Sequence, residues 1–325
     1  KRGFQNLRLD PAKRSGFTEA PMTGDSEARH PLQERLLLME SSGEKNNALY
    51  EALENTYLEI LPASDSLEKA VLIPDGAHVG ITCSPKMGIE ATLALTESLS
   101  NRNLELIPHL AARQILDRRH LNEILTRLEG IGVGSIFVPG GDISPPAGQY
   151  ESSISLLREI ADSQYHFSEI GVAAYPEGHP FIDQETLLEV LAEKQTLSTY
   201  FVTQMCFQAE ALLDWMKMIR AREITNPAWI GLPGALSRLR LLSIAGRIGV
   251  GDSLRFARRQ TELVGALLRS KIYEPDDLLL GIVEGSQNLD LGIAGFHLFS
   301  FNQIESTLKW KNGMLEKSGS ARLHE

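Results

Sequence analysis

The chain from residue 56 onward alternates short apolar runs with longer amphipathic segments. The runs are five to seven residues long and rich in β-branched and aromatic side chains, which is typical of buried strands. The segments between them repeat apolar residues three and four positions apart, which predicts amphipathic helices. Eight runs fit strands, and they cover residues 56–61, 78–83, 105–110, 135–140, 169–175, 199–204, 228–232 and 296–301.

Eight strands that alternate with helices predict an α/β protein, a (β/α)8 TIM barrel, with extra helices in the long interval between strands seven and eight. The alternative is an open, doubly wound sheet, although no glycine-rich turn follows the first strand to support it. The first fifty residues mix charges of both signs with Gly, Pro and Ser and show little periodicity. We therefore expect an irregular N-terminal arm at 1–50 and a single barrel domain at 51–325.

Composition narrows the class of protein. The chain has 325 residues, 42% of them hydrophobic, and a formal net charge of -10. It can bury a large core, but it lacks the general basic face that nucleic acids or anionic membranes require. Cys83 and Cys206 are too few for a secreted disulfide framework, and no metal-ligand spacing such as C-x-x-C occurs. No apolar run reaches eighteen residues. These features predict a cytoplasmic protein without a membrane span, an export signal or a metal site.

Polar residues collect where the predicted strands end. In a barrel of this kind the active site lies at the carboxyl ends of the strands, so side chains from different strands meet there. Each position alone is weak evidence, because Thr or Gln at a strand end is commonly structural, and their joint placement at one rim carries the argument. The residues are Glu59, Thr82, His109, Asp142, Tyr175, Glu177, His179, Gln204 and Asn302.

Two of these positions have competing interpretations. Residues 175–180 read YPEGHP, and two prolines around a glycine fix a turn, which indicates either a capped turn or polar groups held for a ligand. Glu59 lies inside the apolar run TYLEIL, where an ionised carboxylate is costly unless it is paired or functional. From the residues alone, Glu59 is equally a buried salt-bridge partner and a catalytic acid.

Five segments of the chain are similar to a known family. In order, YLEILPAS, ELIPHLAARQ, FVPGGDISPPAGQY, GVAAYPEGHP and FVTQMCFQAE resemble the methylenetetrahydrofolate reductase family, and the resemblance extends over about residues 56–313. It implies a flavin barrel that holds FAD and moves a hydride from NADH or NADPH to 5,10-methylenetetrahydrofolate, giving 5-methyltetrahydrofolate. A folate is then the small-molecule substrate.

The resemblance also implies roles for the residues at the rim. Glu59 matches the family's general acid, which protonates N10 of the folate, and burial in a strand would raise its pKa toward neutrality for that task. Asp142 matches the acidic residue beside the flavin and the pterin, and Gln204 matches the residue that orients the pterin. The matches to flavin contacts are Thr82, His109, Gly141, Tyr150, Tyr175 and His179.

Three departures from the family pattern weaken the expected binding of the flavin and the nicotinamide. Gly140 replaces an Arg in the segment VPGGD, and the helix before the sixth strand offers only Lys194 as a cation for the cofactor, one residue short of the family spacing. A diphosphate needs positive charge or backbone N–H donors. After the seventh strand, GLPGALSRLRLL lacks the aromatic residue on which the nicotinamide commonly stacks. We therefore expect FAD to be held weakly.

A basic segment at residues 237–271 is either a ligand site or an ordinary solvated face. It carries eight basic and two acidic residues in an acidic chain. Arg255 and Arg259 lie one helical turn apart with Arg258 adjacent, so the three can face one ligand, for which we expect the glutamate tail of a folate. Gly249 and Gly251 precede a helix N-cap, which makes the cofactor diphosphate the alternative ligand.

Three other functions stay open at this stage. The enzyme can run as a methyltetrahydrofolate oxidase in one-carbon catabolism, because the same residues serve both directions. A folate-binding or methyl-transfer barrel without redox function would tolerate the weakened flavin contacts. Electrons can also come from a partner protein rather than a nicotinamide, and the other expected partner is a second copy of the chain.

Overall fold

The computed structural model describes residues 51, 53–237, 240–241, 272–287 and 289–320. The predicted N-terminal arm lies outside the described residues, and so do Arg255, Arg258 and Arg259 of the basic segment. The extra helices expected between the seventh and eighth barrel strands fall largely in 242–271, which is also outside them.

Eight parallel strands form the central sheet. Neighbouring strands pair in the order β3-β2-β1-β10-β7-β6-β5-β4. The barrel closes between β3 and β4, where His109 bridges Phe137 and the Leu110 backbone N–H donates to the Phe137 carbonyl at 2.8 Å. The predicted (β/α)8 barrel is therefore confirmed. Its strands are β1 Thr56–Ile60, β2 His78–Ile81, β3 Glu105–Pro108, β4 Ser135–Phe137, β5 Glu169–Ala174, β6 Tyr200–Thr203, β7 Ala228–Pro233 and β10 Ile293–Phe299.

A helix follows each barrel strand and packs its apolar side against the sheet. Side-chain caps start several of them: Asp117 accepts a hydrogen bond from the backbone N–H of His120, and Asp183 accepts one from that of Thr186. After β7, a short antiparallel pair joins β8 Leu236–Ser237 to β9 Ile272–Tyr273. The helices are α1 Ser66–Ala70, α2 Gly88–Leu99, α3 Arg118–Gly130, α4 Ser153–Ala161, α5 Gln184–Lys194, α6 Ala209–Ala221, α7 Asp276–Ser286 and α8 Ile304–Ser320.

The strands differ from the predicted runs mainly at their ends. The last barrel strand begins at Ile293 and ends at Phe299, whereas the apolar pattern predicts residues 296–301. It ends early because Phe301 and Asn302 have φ values of 47° and 62°, a left-handed backbone that no strand accommodates. The predicted fourth strand ends at Phe137 instead of residue 140 because Pro139 and two glycines follow.

Large aromatic side chains fill the barrel interior near the amino ends of the strands. The rings of Tyr57 and Trp229 stack with centroids 3.8 Å apart, and Tyr200 meets Tyr57 edge-on at 5.9 Å. The Tyr57 hydroxyl donates to Oε2 of Glu169 at 3.2 Å, which satisfies a polar group at this depth. These aromatic side chains form a floor across the amino ends of the strands. A ligand can therefore enter the barrel at the opposite side, where the strands have their carboxyl ends.

Candidate functional site

The barrel brings most of the predicted site residues to one rim. Parallel strands end at the same edge, so residues at or just after each strand share the mouth of the barrel. Glu59 lies in β1, Thr82 follows β2 and His109 follows β3. The other predicted positions on this rim are Gly141 and Asp142 after β4, Tyr175 and His179 after β5, and Gln204 after β6.

Glu59 is buried and paired with a histidine. Its Oε2 lies 3.1 Å from Nε2 of His297, and the two residues are 8% and 3% exposed. The backbone explains the pairing, since β1 and β10 are adjacent and place Tyr57 opposite His297, two residues before Glu59. Glu59 therefore has a buried partner, but a titratable imidazole rather than a permanent cation.

A second buried imidazole lies beside this pair. Burial lowers the pKa of His109 to about 4, because the imidazolium loses its hydration, and this outweighs the opposing attraction of the Glu59 carboxylate. His109 is therefore neutral at pH 7. Gly80 makes room for both rings: a Cβ there would lie 3.2 Å from Nε2 of His109 and 3.5 Å from Cε1 of His297.

The turn after β5 holds a phenol and an imidazole against each other. The rings of Tyr175 and His179 meet edge-on with centroids 5.2 Å apart. Gly178, with φ of 84°, closes the turn by donating its N–H to the Tyr175 carbonyl at 3.1 Å. Glu177 ties the turn to the next loop, because its Oε1 accepts from the backbone N–H of Phe207 at 3.3 Å. The carboxylate thus anchors the turn, while the two rings remain at the mouth.

Asp142 acts electrostatically on the same two rings. Burial raises the pKa of Tyr175 to about 12, and the Asp142 carboxylate adds to that rise. Burial lowers the pKa of His179, and Asp142 opposes the change. Asp142 itself is exposed. Its charge is therefore available to a ligand between the loops that follow β4 and β5.

One hydroxyl group near the mouth lacks a partner. Among the described residues, Oγ1 of Thr82 is buried without a hydrogen-bond partner, whereas the buried hydroxyl of Tyr150 lies beside the side chain of Gln149. Buried polar groups are normally satisfied, so such groups indicate a missing ligand or water. The side-chain oxygen of Gln204 accepts a hydrogen bond from the backbone N–H of Met205 at 2.9 Å. Within the part of the chain that the structure describes, the Gln204 side-chain NH2 makes no hydrogen bond, which leaves two donors.

The structure does not bring Lys194 to this rim. Lys194 is the last residue of α5, which leads into the amino end of β6, so it lies at the opposite end of the barrel. Its carbonyl accepts from the Ser198 hydroxyl at 2.9 Å, and Asn226 binds the Ser198 carbonyl just before β7. Lys194 is buried, and burial lowers its pKa to about 8. Its predicted contact with the cofactor gains no support from this position.

Asn302 lies at the carboxyl end of β10 but has a structural role. Its side chain accepts from the Leu61 N–H at 2.8 Å and donates to the Leu61 carbonyl at 3.1 Å and to the Ser66 hydroxyl at 2.9 Å. The amide therefore joins the end of β10 to the start of α1. These three hydrogen bonds are enough to explain an asparagine at this position.

His297 is the member of the Glu59 pair that the sequence interpretation missed. In FHLFSF the predicted strand begins at Phe296, so the histidine looked like one interior position of an apolar run. The alternation of His297 and Phe299 on one face of β10 was the available signal. Its partner Glu59 lies 238 positions away, and only the closed barrel makes them neighbours.

The residues present fit one end of FAD and not the other. The unpartnered hydroxyl of Thr82 and the Tyr175–His179 pair suit the polar edge and face of an isoalloxazine ring. The two positions predicted to face the diphosphate supply no cation there, because Gly140 has no side chain and Lys194 lies at the opposite end of the barrel. At the same rim, the guanidinium of Arg113 donates hydrogen bonds to the Ile143 carbonyl at 2.7 Å and to the Glu151 carbonyl at 3.1 Å.

The methylenetetrahydrofolate reductase family model matches residues 70–236, just over half of the chain. The chain belongs to the methylenetetrahydrofolate reductase family. The matched range contains the rim residues from Thr82 to Gln204, whereas Glu59 and His297 lie outside it. Their assignment to the site therefore rests on the geometry of the barrel.

Two individual proteins illustrate the similarity. Methylenetetrahydrofolate reductase 2 of Schizosaccharomyces pombe is 24% identical over 244 residues, which cover 64% of this chain and 36% of that protein. The chain thus spans about a third of the length of this relative. An uncharacterized protein from Clostridium thermocellum that binds two copies of 5-methyl-5,6,7,8-tetrahydrofolic acid superimposes with a TM-score of 0.53 at 12% identity, covering 82% of this chain and 95% of that one. This second likeness bears on the fold alone.

No helix in the described ranges combines the length and the apolar character that crossing a bilayer requires.

Proposed function

We propose that the chain is a methylenetetrahydrofolate reductase-like oxidoreductase that adds a hydride to 5,10-methylenetetrahydrofolate, giving 5-methyltetrahydrofolate, with NADH or NADPH as the source. The observation that carries the proposal is the buried carboxyl group of Glu59 on its histidine partner at the open end of the barrel. Membership of the family and the ring of polar residues around that mouth support the same substrate.

The chemistry needs one proton at a defined nitrogen. Glu59 protonates N10 of the folate as the bond from N10 to the bridging carbon breaks, which leaves an iminium at N5. The hydride then adds to that carbon and completes the methyl group, so the overall reaction consumes one hydride and one proton. We assign the proton to Glu59 because its carboxyl group is buried at the open end of the barrel, whereas the neighbouring His109 is neutral at pH 7, with its pKa lowered by burial to about 4.

The other rim residues bind and orient the pterin. The exposed carboxylate of Asp142 would accept hydrogen bonds from the amino-pyrimidine edge of the pterin. The Gln204 side-chain NH2 would donate to a pterin acceptor and set the ring over Glu59. The aromatic floor around Tyr57 and Trp229 excludes water from below, which strengthens the polar interactions at the mouth.

A flavin, when bound, would carry the hydride between the nicotinamide and the folate. Thr82, His109, Tyr150, Tyr175 and His179 would hold its ring. The lack of a cation at the two predicted anchor positions, Gly140 and Lys194, favours weak retention. The same lack favours, as second candidates, a folate-binding or methyl-transfer barrel, or a chain that receives electrons from a partner protein.

A spectrum and an assay of the purified chain separate these candidates. A yellow protein that NADH bleaches, and that then forms 5-methyltetrahydrofolate, supports the proposal. A colourless protein that binds folate without turnover with NADH or NADPH supports the binding barrel, and a yellow protein inert to both nicotinamides supports a protein donor. The reverse reaction, started from 5-methyltetrahydrofolate with an electron acceptor, tests the oxidase direction.

A further inference from the structure

His297 is a buried titratable residue to which the chemistry above gives no role. Its Nε2 lies 3.1 Å from Oε2 of Glu59. The His297 side chain is 4% exposed and that of Glu59 is 11% exposed. In the register of the two strands Glu59 pairs with Phe299, two residues nearer the mouth than His297.

The surroundings of His297 determine where its hydrogen lies. Nδ1 is buried and has no hydrogen-bond partner among the described residues. A buried N–H without an acceptor is costly, whereas Nε2 has an acceptor in Oε2 of Glu59. The favoured tautomer therefore carries its hydrogen on Nε2 and donates it to Glu59.

The groups that face the ring keep it in place. His109 from the loop after β3 and His297 both border the space left by Gly80. The ring of Phe299 lies 4.8 Å and that of Tyr57 6.5 Å from the ring of His297, measured between centroids. The titratable groups around His297 are thus Glu59 and Tyr57 from β1 and the neutral His109 from the β3 side.

We propose that His297 is a positioning residue that fixes which oxygen of Glu59 carries the catalytic proton, an inference that rests on the proposed function. With Nε2–H bound to Oε2, the proton of the carboxyl group must lie on Oε1. In the transfer, the Oε1–H bond breaks and an N10–H bond forms. The negative charge left on the carboxylate is then stabilised by the same Nε2–H donor, now in a charge-assisted bond.

Two substitutions of His297 distinguish positioning from packing. His297→Gln places an amide N–H2 near the position of Nε2, whereas His297→Asn places it near that of Nδ1 and cannot reach Oε2. We expect His297→Asn to lower kcat for folate reduction about 10- to 100-fold, with KM for the folate changed less than about twofold. His297→Gln should recover most of that rate. His166→Asn, at an exposed histidine outside the rim, is the matched control. Equal rates for the Asn and Gln variants would overturn the proposal.

An NMR measurement tests the tautomer without any turnover. Nitrogen-15 labelled histidine in the full chain reports which ring nitrogen carries hydrogen, and the spectrum of His297→Gln assigns the signal. Hydrogen on Nε2 in the free protein, with a shift of that signal in Glu59→Gln, is the expected result. Hydrogen on Nδ1 would overturn the assignment whatever the activity. A chain that neither binds nor turns over folate would overturn the proposed function instead, while the NMR signal still decides the role of His297.

Discussion

At the scale of single residues, the environment of Glu59 depends on positions that are distant in sequence. The apolar run around Glu59 is enough to predict its burial in a strand, which is what the structure has. The partner His297 and the gap at Gly80 come from two other strands, and no local pattern links them. A sequence can therefore reveal that a carboxyl group is buried, but the identity of its partner follows from the closure of the barrel.

Replacing Glu59 by Gln should separate the two halves of the reaction. The amide keeps a similar volume and can still accept a hydrogen bond from His297, but it has no acidic proton for N10. Reduction of a bound flavin by the nicotinamide should stay nearly unchanged, and folate reduction should slow by roughly a hundredfold or more. Rapid-mixing kinetics of each half-reaction measure this. Equal slowing of both halves would make Glu59 a structural residue.

At the scale of the elements, α5 shows how the direction of a helix bears on a prediction made from sequence spacing. The position of Lys194 relative to the sixth strand suggests a cofactor contact, but the helix runs away from the rim and carries Lys194 to its far end. The turn before the helix behaves as its composition predicts, because Pro and Gly fix the local backbone at 175–180. Turn chemistry is local and can be predicted, whereas the direction of a long side chain depends on the packing of whole elements.

Lys194→Met should stabilise the protein at neutral pH. Burial lowers the pKa of Lys194 from 10.5 to about 8, so below pH 8 the folded protein bears the cost of a buried charge. Methionine avoids this cost, and the free energy of unfolding should rise by about 1 to 3 kcal/mol at pH 7. Between pH 8 and 10.5 the wild-type lysine loses its proton in the folded state first, so the advantage shrinks and disappears.

Thermal or urea unfolding at pH 7, 9 and 11 measures how the stability difference between Lys194→Met and the wild type falls with pH. Lys217→Met, at an exposed helical lysine paired with Asp214, is the control and should give no comparable gain. Flavin affinity should be the same in Lys194→Met as in the wild type. A large loss of flavin would instead show that the lysine contacts the cofactor.

At the scale of the whole molecule, the barrel could be predicted and the electron-donor half of the site could not. Eight apolar runs separated by amphipathic segments specify the barrel, because each strand needs its own buried segment and each helix its own apolar face. The rim follows from the topology. Binding of a dinucleotide depends on a few cationic side chains that must all reach its diphosphate. The spacing of these residues along the chain does not predict whether their side chains meet at one point.

We expect FAD to bind weakly because the predicted diphosphate anchor is missing at Gly140. Gly140→Arg should therefore raise the affinity for FAD. A Cβ at Gly140 would meet no heavy atom within 4 Å, so the loop has space for a side chain. One charge-assisted contact to the diphosphate would tighten FAD binding by about 1.5 to 3 kcal/mol. Gly140→Gln, of similar reach without charge, should give little gain. Calorimetric titration with FAD compares the three proteins. Nanomolar binding by the unmodified chain would mean that groups other than an arginine at this position hold the diphosphate.

The filled floor of the barrel has a consequence for traffic through the site. Tyr57, Trp229 and Tyr200 block the amino ends of the strands, so nothing that reacts at Glu59 can pass straight through. Under the proposed function, a hydride donor, a folate and the product would then enter and leave from the same side, at the carboxyl ends of the strands. Each bound molecule would have to dissociate before the next could bind. We therefore expect product release to limit the rate of turnover as much as the chemical steps do.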